Sequence, residues 1–479
     1  MPLAGLEKIN LIGQITLKNY WLYLHEFRFV LLLLPVLATG VFISQQFSYL
    51  TFVLLVAHYF LKARRGTREG LLAVLLYSIV LPNNVIPWVL LLIGFTLVFL
   101  DSLLKRRITH VLLPVLFIGM ICVLGVLHAV PLLNLTAFFL ISTPFFLASY
   151  VFNEGWTTYE FKRVITEVLL VQVLANIFIL LRDFPLLFSY KGIPDSFVGT
   201  MEHGGAHFLA VFFILFLIYY FRPWKHLLFF GLVLIFLLLY SAVHVYMALF
   251  LATSIWLLGI GRFHWRKLLL LGGVALSFYH AFLLFSPPWM AGLLQSALSP
   301  EYLSRQNKIA TYFNTYITLP SQDLKYLLFG NGPGYYSSRA ALTVADLYGG
   351  LYQAVFARFF DRPLMSEYTE KFIFPTFNPE YLVLGVNDGT INFPYSSWIS
   401  LMGEFGLIGL LLFIAYLVNK IMKRQPMDSI TILSLIFLLS LALFDNWLEN
   451  TKVMIIFWAF YYYGKQPTHP LPSLAKEVN

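Results

Sequence analysis

Three glycines fall within five residues in the stretch Leu328-Phe329-Gly330-Asn331-Gly332-Pro333-Gly334-Tyr335-Tyr336. Glycine accepts backbone conformations closed to other residues, so such a stretch turns sharply and can aim several amide N–H groups at one anion. No Lys-Ser/Thr pair follows it and no strand–helix–strand context surrounds it, which excludes a nucleotide P-loop. A plain turn is the competing reading. Arg305 and Arg339 flank the stretch, and Arg358 and Arg362 lie further along the same polar segment. A guanidinium binds phosphate through two parallel bonds and keeps its charge beside a low-dielectric layer. The ordinary alternative is a solvated or acid-paired arginine, as Arg362 beside Asp361 suggests.

A second concentration of chemistry lies at Asn392–Leu411, NFPYSSWISLMGEFGLIGLL. Its first half carries Pro394, Tyr395, Ser396 and Ser397; its second half is an apolar helix with a carboxylate, Glu404, about two turns in. An ionisable group so placed is costly, so Glu404 is expected to face a cavity or a partner. Glu202 and His203 stand just before a helix entrance, where such a pair could act as acid and base or bind a cation, and a helix cap explains them nearly as well. Glu167, His244, His280 and Lys452 also interrupt apolar runs, nearer helix ends, and are expected to be structural. No His-Glu-x-x-His spacing and no Asp-x-Asp pair occurs, so metal-free chemistry is expected.

The elements that must position these groups are membrane helices. Of the 479 residues, 59% are hydrophobic and 11% charged, with mean hydropathy +0.78. A soluble chain has about 25% charged residues, so most of this one must face lipid or pack within it. The net charge of +9 sits in short basic clusters between apolar runs, the pattern of cytoplasmic loops beside anionic lipid, and nucleic acid is excluded as a partner. Cys122 is the single cysteine, which excludes disulfides within the chain and thiol-ligated metal.

With about 20 apolar residues per span, about fourteen spans are expected. Residues 1–27 read as a cytoplasmic, interfacial leader without a signal-peptide pattern. Eleven spans occupy 28–285, interrupted by an external loop at 182–205, and three occupy 396–465. One of the eleven is expected at 131–151. Residues 286–395 form a large external loop, partly helical, capping the outer face, with Tyr302, Ile309, Tyr312, Phe313 and Tyr316 at roughly helical spacing. The tail, 466–479, has three prolines and reads as disordered. The basic clusters fall on one side of this arrangement if both termini are cytoplasmic. The sequence shows no internal repeat.

Two motifs resemble those of the bacterial O-antigen ligase and O-antigen polymerase superfamily. Phe329-Gly330-Asn331-Gly332-Pro333-Gly334 is similar to the family's Phe-Gly-x-Gly-Pro-Gly. Pro394-Tyr395-Ser396-Ser397-Trp398, followed by Gly403-Glu404-Phe405-Gly406-Leu407-Ile408-Gly409, is similar to its Pro-His-Asn-Ser-Tyr block running into Glu-x-Gly-Leu-Ile-Gly. Ser304-Arg305, Val198-Gly199-Thr200 and Asp445-Asn446 are weaker matches, and the likeness covers residues 170–465. It implies an all-α polytopic membrane protein resembling GT-C-type glycosyltransferases, in a bacterial inner membrane with the large loop periplasmic. The donor would be an undecaprenyl-pyrophosphate-linked glycan, the acceptor a glycan or lipid A–core hydroxyl, and no cofactor or metal would be needed. A chain-length regulator is a further partner that the resemblance suggests.

On this resemblance Arg305 and Arg339, with Gly332 and Gly334, would hold the donor pyrophosphate. Glu404 or Asp388 would act as base or orient the hydroxyl. Tyr395 would contact the acceptor, with His203, Glu202 and His244 in secondary roles. The chain departs from the family at Tyr395, where ligases carry histidine; a phenol with pKa near 10 is a poor base, which tilts the reading toward a polymerase. Ser241-Ala242 stands where the family has Ser-Arg, and Asp195 where an arginine precedes Val198-Gly199. The alternatives are a ligase and, from another class, a transporter or flippase of lipid-linked sugars, which the missing repeat disfavours.

Overall fold

The computed structural model describes residues 28–62, 67–82, 85–153, 158–184, 199–201, 243–259, 272–273, 276, 307–345, 364–374, 396–422 and 429–463. Among the described residues the protein is helical throughout, without a strand. Three of these helices are long and apolar enough to cross a membrane: Val85–Leu104, Phe161–Asp183 and Ser397–Met422. The expected leader at 1–27, the part of the expected span region that falls at 202–242, and the tail at 466–479 lie outside the described residues.

The span expected at 131–151 is instead two helices, Leu132–Ile141 and Pro144–Phe152, bent by 46°. Pro144 offers no N–H to the preceding turn and begins the second helix, so the chain stops and restarts at Ser142-Thr143. The break frees the Ser142 hydroxyl from helical surroundings.

The chain forms two compact units. In the first, the helices Leu34–Phe42, Phe47–Lys62 and Thr67–Tyr77 pack in sequence, with Thr158–Asp183 beside them. Glu167, buried in that last helix, accepts from the Tyr77 hydroxyl and, at 3.1 Å, from Arg163 Nε. It is a satisfied structural group, as expected. Gly199 and Thr200 are held to the same helix: their amides donate to Asn176 Oδ1 at 2.9 Å and Gln172 Oε1 at 3.0 Å.

The second unit carries the glycine stretch and the Ser397–Met422 helix. Leu324–Phe329 packs on that helix, Arg339–Val344 packs on Leu132–Ile141, and Thr451–Tyr463 packs on Pro144–Phe152. A core of Ile121, Leu124, Phe138, Ala340, Val344 and Phe405 ties the glycine segment to helix Ile108–Leu127.

Local chemistry explains the turn. Asp323 caps the Leu324–Phe329 helix, accepting from the Lys325 amide at 2.8 Å, and Gly330 ends it with φ +70°. Gly332 and Gly334 follow at φ +98° and +70°. Ser338 then caps Arg339–Val344. Facing the turn, helix Ser397–Met422 departs from helical geometry at Gly406, φ +63° and ψ −165°. The carbonyls of Gly403 and Glu404 accept from the amides of Asn331 (2.8 Å) and Gly332 (3.0 Å). The approach leaves no room for side chains: a Cβ on Gly330 would lie 2.4 Å from the Glu404 carbonyl carbon, and one on Gly406 2.5 Å from the Gly330 nitrogen.

Gly330→Ala and Gly406→Ala should each destabilise the protein by at least about 2 kcal/mol, since left-handed strain of roughly 1–2 kcal/mol adds to a backbone clash. Gly119→Ala, where nothing lies within 4 Å, should be neutral or stabilising. Unfolding midpoints in detergent compare the three; equal stability of all would refute the close approach.

Candidate active site

Glu404 is fully buried, and its partner is the glycine stretch itself. Oε2 accepts the Gly334 amide at 2.7 Å; Oε1 accepts the Ser338 amide at 2.9 Å and the Tyr336 amide at 3.4 Å. The turn does collect amides around an anion, and the anion is the chain's own carboxylate. This corrects two expectations. Gly332 and Gly334 direct their amides at the Glu404 carbonyl and carboxylate, so they are not available to a pyrophosphate. Glu404 has both oxygens occupied and no exposed surface, so it anchors the turn and does not act as an accessible base. A carboxylate in an apolar helix needs such donors, because its desolvation is otherwise uncompensated.

The start of the Ser397–Met422 helix is joined to the Asp445-Asn446 pair by a buried polar seam. Asn446 Nδ2 donates to the Ser337 carbonyl at 3.1 Å, and the Asn446 amide to Asp445 Oδ1 at 2.6 Å. The Ser397 amide reaches the Ala442 and Asp445 carbonyls at 3.1 and 3.2 Å, while its hydroxyl accepts the Leu448 amide at 3.2 Å. Ser396 Oγ donates to the Ala442 carbonyl at 2.9 Å and pairs with the Tyr312 hydroxyl at 2.5 Å. Three stretches far apart in sequence therefore meet: the glycine turn, the Ser396–Gly406 junction and Asp445-Asn446.

Charged groups gather along this seam. Arg339 places its amide 2.8 Å from Glu449 Oε2 and its guanidinium 3.8 Å from Asp445 Oδ1. Ser142, released by the helix break, donates to the same Glu449 oxygen at 2.6 Å. Lys308 is buried and donates to the Phe444 carbonyl. Burial draws Lys308 down to about 7, with Asp445 opposing. Burial pushes Glu449 up to about 8; the Ser142 bond pulls it down, the Glu404 charge adds to the rise and Arg339 opposes it. His244, expected in a secondary role, is buried and stacks on Trp447, ring centroids 6.1 Å apart.

Arg305, Asp388, Tyr395, Glu202 and His203 lie outside the described residues. Of the predicted site residues, the structure thus brings together Glu404, Gly332, Gly334 and Arg339, with His244 in contact with Trp447. Lys308 and Glu449 were not singled out in the sequence. Glu449 sits in a short polar connector, where a carboxylate ordinarily faces water, and only its contacts with Ser142 and Arg339 reveal it.

Glu404→Gln leaves one acceptor oxygen and turns an NH2 group toward backbone N–H donors. It should cost about 2 kcal/mol or more, as hydrogen bonds to a charged group are lost; unchanged denaturant unfolding would contradict the anchoring role. The two titrating groups act in opposite directions. Glu449 has a folded value, about 8, above its ordinary 4.5, so its stabilising contribution is full below pH 4.5 and is lost as pH rises through 8. Lys308 has a folded value, about 7, below 10.5, so its contribution is full above pH 10.5 and is lost as pH falls through 7. Relative to wild type, Glu449→Gln should gain stability between pH 5 and 9, and Lys308→Met should gain as pH drops from 9 to 6. Unfolding midpoints across that range check both signs, and pH-independent differences would refute them.

No family model, curated protein or solved structure matches this chain, so its functional reading rests on its own residues and geometry.

Proposed function

We propose that this chain is a multi-pass glycosyltransferase that polymerises undecaprenyl-pyrophosphate-linked oligosaccharide units at the outer face of a bacterial inner membrane. The proposed topology has about fourteen spans and both termini cytoplasmic. The supporting observation is the convergence of the glycine turn, the Ser396–Gly406 junction and Asp445-Asn446, with Arg339 among them. These stretches are far apart in sequence and carry the three family-like motifs found in the described part of this unit.

In the proposed reaction the acceptor hydroxyl attacks the anomeric carbon of the donor glycan. The new oxygen–carbon bond forms as the bond to pyrophosphate breaks, and the carrier pyrophosphate leaves with the electron pair. Arg305 and Arg339 stabilise its charge, and orientation supplies much of the remaining barrier reduction. With Glu404 committed to the turn, Asp388 takes the hydroxyl proton, Tyr395 orients the acceptor sugar, and Glu202, His203 and His244 serve in supporting positions. No metal or cofactor enters the scheme.

Arg305→Ala and Arg339→Ala should each leave single-repeat glycans on the lipid carrier at normal protein abundance, resolved on a gel of lipid-linked glycans. Arg339→Lys should be nearly as defective, since an ammonium lacks the bidentate fork. Long-chain polymer in the variants would overturn the arginine assignment. Polymer stranded on the carrier in a deletion strain would assign a ligase instead.

A further inference from the structure

The segment expected to cap the outer face on the water side has its polarity reversed. Residues Asn307–Gln322 form a continuous helical stretch that includes a π-helical turn at Asn314–Thr318. A helix lying on a soluble surface turns its apolar side inward and its polar side to water. From Lys308 to Ile317 the polar groups point in, whereas at the C-terminal end Leu319 is buried and Ser321 and Gln322 are exposed. Lys308, Thr311 and Thr315 are buried. The Tyr312 hydroxyl bonds Ser396 and the Leu443 carbonyl, and the Tyr316 hydroxyl donates to the Trp398 carbonyl at 2.9 Å. The outward stripe is Ile309, Phe313 and Ile317, which are 46%, 56% and 54% exposed. From Ile309 to Gln322 the sequence holds no charged residue.

The next residues penetrate the helix bundle. Ala340 and Val344 share a core with Ile121 and Leu124, and Phe117 packs against that cluster. Phe117 and Ile121 lie near the middle of the apolar helix Ile108–Leu127, whose other face exposes Leu112, Leu116 and Val123. The backbone of Leu328 and Phe329 abuts Gly406, next to Leu407, Ile408 and Leu411, which are also exposed and apolar. Leu324, 68% exposed, sits beside Lys325, whose Nζ donates to the Leu127 carbonyl. The outward stripe and the exposed apolar faces of these two helices thus belong to the same compact unit.

We propose that the segment 307–345 is re-entrant: it enters the apolar layer of the membrane with Ile309, Phe313 and Ile317 facing the hydrocarbon of bilayer lipid, and exposed Ser321, Gln322 and Lys325 mark its polar edge. Backbone that is not a spanning helix is tolerated at that depth only when it is buried in protein and internally bonded. The turn at 330–338 meets that condition through Glu404, Gly403 and Asn134, whose Nδ2 donates to the Gly334 carbonyl at 2.8 Å. This placement does not depend on the glycan-transfer reading.

The test uses a Cys122→Ala background, since Cys122 is the single cysteine and is exposed. Phe313→Cys and Ile317→Cys are labelled separately with an environment-sensitive fluorophore in the full chain, reconstituted in phosphatidylcholine vesicles. Leu116→Cys, on the exposed face of Ile108–Leu127, serves as the lipid-facing reference, and Lys105→Cys as the aqueous one. Probes at 313 and 317 should lose fluorescence in tail-brominated lipid as fully as the probe at 116, and should resist aqueous iodide better than the probe at 105. Quenching by iodide without quenching by brominated lipid would overturn the proposal and restore a water-side cap. Protection from both quenchers would also overturn it, assigning the stripe to a protein partner or a second copy.

Discussion

A single buried carboxylate holds this part of the protein together. Glu404 lies in an apolar helix where an ionised group costs several kcal/mol unless donors surround it. The donors are three amides, of Gly334, Tyr336 and Ser338. Those amides converge because three glycines take positive φ angles at 330, 332 and 334. The dependence is mutual. The kink at Gly406 lets the glycine segment approach, and the carbonyls of Gly403 and Glu404 accept from Asn331 and Gly332. Without the turn the carboxylate has no donors, and without the carboxylate the turn's amides are buried and unpaired. Each is costly alone, which fixes the pair.

Around that anchor the polar groups form a continuous seam, and the lipid-compatible groups face away from it. Tyrosine and serine hydroxyls, Asn446, Lys308 and Glu449 all bond within the second unit. Lys308 and Glu449 are shifted toward neutrality by burial, as expected where water is excluded and each charge has few partners. Arg339 meets both carboxyl groups, Asp445 through its guanidinium and Glu449 through its backbone amide. That arrangement concentrates a fixed positive charge where the three motif stretches meet.

Much of this was legible before any coordinates. Helical class followed from apolar runs, the sharp turn from glycine spacing, and the need of Glu404 for a partner from its position in a helix. What the sequence could not show is which anion the turn binds. Local spacing reveals that amides converge, but only tertiary contacts show that a carboxylate 70 residues downstream fills the place. The break at Ser142-Thr143 is hidden in the sequence because both halves are apolar and together match the length of one span. Glu449 and Lys308 were missed for a related reason: a carboxylate in a connector and a lysine in an amphipathic run carry no sign of burial. The helical spacing of Ile309, Tyr312, Phe313 and Tyr316 is visible in the sequence, but spacing alone does not say which face packs inward.

The central claim is that the glycine turn is closed on Glu404 and not open to water. Hydrogen–deuterium exchange of the wild-type protein in lipid nanodiscs, read on peptides covering 330–338, measures this directly. Amides held by a buried carboxylate and by helix carbonyls should exchange as slowly as the core of the Ser397–Met422 helix. Exchange as fast as that of an exposed loop would show an open turn and contradict the account.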